Sequence, residues 1–399
     1  MKTYPLLLIF TAPLLAGPVP CHDLIGYQGF NGAVPQCFLD ASGQANIVLN
    51  GGSRLDWQNL QLAPGTALTS LTIQSGGHAV AIVDGGTLTQ INGVLASNSR
   101  LGLFSRQIVI GTTGQVTAPQ LVVSALPPTN ADAWITTGNA TLNQAPGSLG
   151  QVVNHGVLRA TQGTLTVVGT TVQNGNEGET SPVMQASGDL HLTAGGAVSL
   201  NGAEALAQGE PAAGLATVNN FGTLSGFSVH LRAIPHYDPA TSGFIQINIT
   251  NGGIIASNAN GSGVHLNTVH PTQPAVGYTA LRPGSQVFTP NPAAWPTSAN
   301  VQTLLFNDGE VLAPQEDDAP TAPAAPLAIP KLSGTGVVAA DSSAPALAAT
   351  YSSLNSLPKG STASAPAARS GSVATRGTPE KKKRAAVVKG SFFQLKYRN

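Results

Sequence analysis

Val152-Val153-Asn154-His155-Gly156-Val157-Leu158-Arg159-Ala160, followed after a short break by Gly163-Thr164-Leu165-Thr166-Val167-Val168-Gly169, decides how this chain is read. A turn, Asn-His-Gly, leads into a short alternating strand from Val157 to Ala160. Gln162-Gly163 breaks that strand, and a second one runs from Leu165 to Val168. Asn and Gly tolerate left-handed backbone and so suit corners. Val, Leu and Thr suit a pleated, half-buried strand. Strand, corner, strand, corner outlines one coil of a β-solenoid. A lone coil cannot bury its own apolar face, so the reading requires that the unit recur.

It recurs. Asn154-x-Gly156-x-Leu158-x-Ala160 is matched by Asn220-x-Gly222-x-Leu224-x-Gly226, by Asn251-x-Gly253-x-Ile255-x-Ser257 and by Asn307-x-Gly309-x-Val311-x-Ala313. Asn174-Gly175 is a partial copy. The anchors at 154, 174, 220, 251 and 307 are 20, 46, 31 and 56 residues apart, which fits coils of unequal length with insertions between some of them. Asn at equivalent corners can form an amide ladder along the stack. Asn-x-Gly is also an ordinary hairpin turn, which leaves a sandwich as the alternative. The same apolar-x-small strand after every corner favours the solenoid.

Composition agrees with many short strands and turns. Gly and Pro make up 46 and 29 of the 399 residues, only 9% of residues are charged, and the formal net charge is zero. A balanced charge does not point to a nucleic-acid partner. Long apolar stretches with a 3.6-residue period are hard to find, so a helical fold is excluded. Between Ile47 and Ala125 apolar runs of three or four alternate with turn formers. Examples are Ile47-Val48-Leu49, Val80-Ala81-Ile82-Val83 and Ile108-Val109-Ile110. The runs are too short for a doubly wound α/β sheet and lack helical crossovers.

The N-terminus has the form of an export leader: Lys2, an apolar run from Leu6 to Ala16, and small-residue cleavage chemistry at Leu14-Leu15-Ala16. The run is too short to span a bilayer, and Pro13 interrupts it. Export implies an oxidising compartment, where Cys21 and Cys37 can close a loop worth roughly 3 kcal/mol in the chain-entropy model. Two unpaired thiols are the alternative. Pro20 stands where a lipoprotein anchor at Cys21 would need a small residue. The mature protein is therefore expected to be secreted or held at the bacterial cell surface in association with the outer membrane.

Trp57-x-Asn59-Leu60-x-Leu62, Ile91-Asn92-Gly93-Val94-Leu95, Ile108-Val109-Ile110-Gly111 and Leu121-Val122-Val123-Ser124-Ala125 follow one another in an order that resembles the haemagglutination-activity domain. That domain opens filamentous-haemagglutinin-type exoproteins, the passengers of two-partner secretion. Phe104-Ser105-Arg106-Gln107-Ile108 stands where the family carries Asn-Pro-Asn-Gly-Ile. The resemblance implies a right-handed parallel β-helix, an outer-membrane transporter as export partner, and adhesion to a host or environmental glycan or protein surface.

The expected organisation has six parts. Residues 1–16 are a signal peptide, 17–44 an N-terminal cap segment holding the cysteines, and 45–170 the haemagglutination-activity-like β-helix. Residues 171–313 continue the helix with loop insertions. Residues 314–379 are an Ala/Pro/Ser-rich stretch too poor in large apolar residues to fold, hence a disordered linker. Residues 380–399 end the chain, with Lys381-Lys382-Lys383-Arg384 beside aromatics able to contact an anionic surface. The insertions at Pro127 to Trp134, Asn174 to Pro182, Ala233 to Gly243 and His270 to Asn300 are expected to project as contact loops.

No catalytic, metal or cofactor site is expected. The chain lacks a Gly-x-Ser-x-Gly elbow, a His-Glu-x-x-His pair, a phosphate loop and a cysteine cluster. Glu177 and Glu179 are the nearest approach to a carboxylate pair for glycoside hydrolysis. Asp189 with His191, and His236 with Asp238, read as surface pairs or loop hydrogen bonds. The functional expectation is an adhesin, with a β-helical lyase or glycosidase as the alternative. The residues singled out are the candidate disulfide, Cys21 and Cys37, and the structural corners Asn154, Gly156, Asn220, Gly222, Asn251, Gly253, Asn307 and Gly309.

Overall fold

The computed structural model describes residues 18–19, 27–32, 35–39, 44–72, 79–202, 204–237, 246–295 and 300–314. Within them the chain is a parallel β-helix whose three long sheets hold twelve, ten and nine strands. One coil shows the path. Gln151–Asn154 lies in the third sheet, Val157–Ala160 in the first and Leu165–Gly169 in the second; Thr171–Asn174 then returns to the third. Each strand pairs in parallel with its counterpart one coil away, as Val157–Ala160 does with Val183–Ala186. The sheets run through residue 170 without a break. At the start the sense reverses: Gln36–Leu39 pairs antiparallel with Ala45–Leu49, and Tyr27–Gly32 with Ser53–Trp57. Cys37 is buried there and disulfide-bonded. Cys21, the leader, Asp238 to Gly243, and the segments assigned to the linker and the basic C-terminus, Lys381 to Arg384 included, lie outside the described residues apart from Pro314.

The interior is a set of stacked columns. Leu68, Leu95, Val116, Leu158, Met184, Leu224, Ile255 and Val287 occupy successive rungs of one column in the first sheet, each no more than 2% exposed. Leu55, Ile82, Leu103, Val123, Val167, Leu192, Leu231 and Leu266 do the same in the second. Full burial of such a side chain contributes about 1.5–3 kcal/mol. The alternation of the sequence thus becomes a set of aliphatic columns, each with one residue per coil and each continuous along the stack.

One buried column changes chemistry midway. Ile91, Ile110, Asn154, Asn174, Asn220, Asn251, Leu281 and Asn307 are cross-strand neighbours in that order. Four consecutive Asn side chains, all fully buried, form an amide ladder. Asn154 Nδ2 donates to Asn174 Oδ1 (2.8 Å), Asn174 Nδ2 to Asn220 Oδ1 (2.9 Å) and Asn220 Nδ2 to Asn251 Oδ1 (2.7 Å). Each of the three donors also reaches a backbone carbonyl of the next coil, at Val183, Thr223 or Ile254. Asn251 meets Leu281 above it and closes on its own corner, donating to Gly253 O and accepting from Gly253 N. Asn174 is therefore a full member of the series. The 56-residue interval before Asn307 holds an additional coil whose corner residue is Leu281. Asn307, in the last described coil, is exposed and only accepts from Gly309 N.

The reason for glycine at these corners differs from the expected one. Gly156, Gly222, Gly253 and Gly309 do not have left-handed backbone, and Asn59 is the non-glycine residue with positive φ (57°) among the described residues. The requirement is space. A Cβ on Gly156, Gly222 or Gly253 would fall closer than 3 Å to a carbonyl oxygen of the preceding coil, on Gly114, Pro182 or Gly222. Those carbonyls accept from Val157, Thr223 and Ile254, so the coils cannot separate to admit a side chain without losing the ladder. Asn59, in the Trp57-x-Asn59-Leu60 stretch, is held by Asp84 of the next coil, whose buried carboxylate accepts from Asn59 N, Leu60 N, Gly86 N and Thr89 Oγ1.

The insertion that begins at Pro127, expected to project, folds back instead, and so does a second one that the sequence reading did not single out. The first contains a helix, α1 (Ala131–Thr137), and a strand, Ala140–Asn143; the second is a hairpin, Ala197–Asn201 with Glu204–Gly209. The three strands form a small antiparallel sheet. With α1 they cover the outer face of the second sheet and enclose a second core of Ala81, Phe104, Val122, Leu142, Val198 and Trp134. Trp134 is fully buried, edge-on to Phe104 at 5.3 Å, and fits a notch that exists because Gly102 has no side chain. Arg100 lies over its ring at 4.9 Å and donates to the α1 carbonyls of Trp134 and Ile135. The His270 to Asn300 segment is likewise no single loop. It holds strands Tyr278–Leu281 and Gln286–Phe288, and Trp295 is buried with Nε1 donating to Val264 O.

Two measurements check these assignments. Asn220→Ala removes a central rung and leaves buried donors and acceptors unpaired, so it should destabilise by roughly 2–3 kcal/mol. Asn307→Ala, exposed, should stay within about 0.5 kcal/mol. Urea midpoints of the two variants compare them directly. Trp134→Ala should cost about 3–5 kcal/mol; it should make residues 195–216 sensitive to protease while the far-UV signal of the coils persists.

Candidate functional site

The outer face of the first sheet, the longest of the three at twelve strands, carries two outward columns that run through eight successive coils. One of its outward columns runs Val94, Gln115, Val157, Val183, Thr223, Ile254, Gln286 and Glu310. The neighbouring column runs Ala96, Thr117, Arg159, Gln185, Ser225, Ala256, Phe288 and Leu312. Arg159 and Glu310 are the charged members of the two columns. Between them lie β-branched, amide and hydroxyl side chains, most of them half-exposed. The face is flat because every strand is in register with its neighbours, and nearly neutral because the outward positions are so rarely charged.

The acidic side chains that could suggest catalysis point to separate partners. Glu179 accepts from His155 Nδ1 at 2.8 Å and from Asn176 N and Nδ2. The hydrogen bond from His155 holds its carboxyl below the usual range. Glu177 pairs instead with Arg282 at 3.0 Å, and the Arg282 guanidinium lies 5.3 Å from the centre of the Phe221 ring. Arg282, Phe221 and His155 each follow directly after a corner residue of the Asn column. The two carboxylates therefore serve as clamps between coils on the corner edge.

A third carboxylate ties loops together. Glu210 accepts from the backbone N of Tyr237 (3.1 Å), from His270 Nε2 (3.1 Å) and from His236 Nδ1. His270 Nδ1 accepts from Thr272 N and Gln273 N, which leaves its proton on Nε2, facing the carboxylate. Burial raises the Glu210 carboxyl, but the hydrogen bonds from His236 and Tyr237 and the nearby His236 and His270 outweigh it and the net shift is downward. Segments leaving the helix at three different coils thus converge on one side chain. His236 acts here with Glu210; Asp238, with which the sequence pairs it, is not among the described residues.

His191 departs from the surface role expected of it. It is 7% exposed and begins a stack on the outer face of the second sheet: His191 on His230 at 4.5 Å and His230 on His265 at 4.5 Å, with rings within 9° of parallel. The signal was present in the sequence, since an aliphatic-His-Leu triplet recurs as Leu190-His191-Leu192, Val229-His230-Leu231 and Val264-His265-Leu266.

No protein-family model matches the chain, and no curated protein matches it. Among solved structures, the chain is similar to the HMW1 secretion domain from Haemophilus influenzae. The match covers 72% of this chain and 84% of that one, with a TM-score of 0.49 and 17% identity.

The Glu210 clamp has a checkable pH dependence. Its folded carboxyl titrates below the unfolded one, so its stabilisation is present above the ordinary carboxylate range and is lost as pH falls through the folded value. Hydrogen exchange in residues 234–237 and 268–277 should stay slow at about pH 5 and accelerate below about pH 4. Glu210→Gln should accelerate it already at neutral pH, leaving the inner columns protected.

Proposed function

We propose that the chain is an exported, non-enzymatic surface protein that adheres through the flat outer face of its first sheet. The observation that carries this reading is that face itself: in-register, nearly uncharged, and continuous from Val94 to Leu312. A repeated shallow surface supports many weak contacts along its length, and multivalency converts these into avidity without a deep pocket. The leader-like N-terminus and the disulfide at Cys37 support passage through an oxidising compartment. The order of the Trp57, Ile91, Ile108 and Leu121 stretches supports export by two-partner secretion through an outer-membrane transporter. A glycan or protein surface of a host or the environment is the class of ligand that suits such a face. The dispersal of Glu177, Glu179 and Glu210 onto separate structural partners speaks against the lyase or glycosidase reading.

Three results test the proposal. Fractionation should place the chain outside the inner membrane, accessible to protease on intact cells. Purified protein should bind a glycan array or a host-cell layer without releasing reducing sugar; sugar release would refute the reading. Val183→Lys combined with Ile254→Lys should abolish binding while leaving the melting temperature within about 2 °C of the parent, since both positions are on the solvent side of their strands.

A further inference from the structure

We propose that Asp189, His191 and His230 form a binding site for one divalent transition ion of the zinc type. Each residue offers a ligand atom, and these atoms lie within 4.8 Å of one another. Two in-register strands, Leu190–Ala194 and Val229–Ala233, hold the two imidazoles on a rigid sheet face. Asp189, on the turn just before the first of them, adds the carboxylate. Two imidazoles and one carboxylate are a common donor set for zinc and its first-row neighbours, and they leave one coordination position to water.

A second observation points the same way. His191 Nδ1 is buried and has no hydrogen-bond partner, in a side chain more than nine-tenths buried. Such a nitrogen is costly unless something binds it. The Arg232 charge would oppose a cation, but its guanidinium is turned to the hairpin, paired with Glu204 at 3.0 Å and donating to Ala205 O.

The site closes by rotation of one ring. Two nitrogens bound tetrahedrally to one ion at ~2.0–2.1 Å lie about 3.4 Å apart, so from the 4.8 Å bound they approach by up to about 1.4 Å, and one imidazole turns out of the parallel stack to aim its in-plane lone pair at the ion. His265, next in the stack, is hydrogen-bonded through Nε2 to Ser262 Oγ at 2.8 Å and stays outside the ligand set. Asp189 and His230 are partly exposed, which gives the ion a path from solvent.

The test uses tag-free full-length chain stripped with chelator, then titrated with Co²⁺ and Zn²⁺. We expect one ion per chain by equilibrium dialysis, a visible d–d band with Co²⁺ that Zn²⁺ displaces, and a rise in melting temperature with Zn²⁺. His230→Ala and Asp189→Asn should each weaken binding at least tenfold, with His155→Ala as the unaffected control. Asp189→Asn changes a turn residue without removing packed volume, so the assay remains decisive if His230→Ala fails to fold. No stoichiometric uptake by the parent, or uptake that Asp189→Asn leaves unchanged, would overturn the proposal.

Discussion

Every feature of this molecule depends on one spacing: parallel strands lie ~4.8 Å apart in the hydrogen-bonding direction. Because the coils stack in register at that distance, whatever side chain occupies a position in one coil faces the corresponding side chain in the next. An aliphatic position becomes an aliphatic column. An Asn position becomes an amide ladder, in which Asn154, Asn174 and Asn220 each donate to the Asn of the following coil and to a backbone carbonyl there. The same distance forbids a Cβ at Gly156, Gly222 and Gly253, because the carbonyl of the coil before already fills the space.

The spacing also sorts the surface. Inward columns are saturated, so binding capacity falls to the outward columns and to the corners and insertions. On the first sheet those columns remain open and nearly neutral. On the second they are covered from Ala81 to Val122 by α1 and the small antiparallel sheet, and farther along they carry the His191–His230–His265 stack. At the corners, Glu177, Glu179 and Glu210 link different coils or loops. The open face and the histidine stack are thus products of the same register that builds the core.

Much of the stack was legible. Asn154-x-Gly156, Asn220-x-Gly222 and Asn251-x-Gly253 identified the corner column, and the alternation after each one identified strand and facing. Leu281 escaped because its corner has neither Asn nor the Asn-x-Gly spacing; it terminates the ladder instead of extending it. Helix α1 carried signals at its ends, with Asn130 accepting from Ala133 N and Gly138 in left-handed conformation (φ 78°), but seven residues give no helical period to detect. The aliphatic-His-Leu triplet was visible as a repeat, yet nothing local showed that His191 is buried while His230 and His265 are partly exposed. That difference came from the hairpin at Ala197–Gly209, whose destination on the sheet is not written in its own residues.

The sequence alone determined the repeating unit: strand lengths, which residues face inward, and where the corners fall. These are local properties, governed by side-chain alternation and by turn chemistry at single positions. Only the tertiary structure decided which insertions fold back and which stay out, that Glu210 gathers segments from three coils, and that Asp189, His191 and His230 share one place. Those outcomes depend on which coil lies above which. Coils of unequal length place residues 20 to 46 apart at the same corner, so proximity along the stack cannot be counted off along the chain.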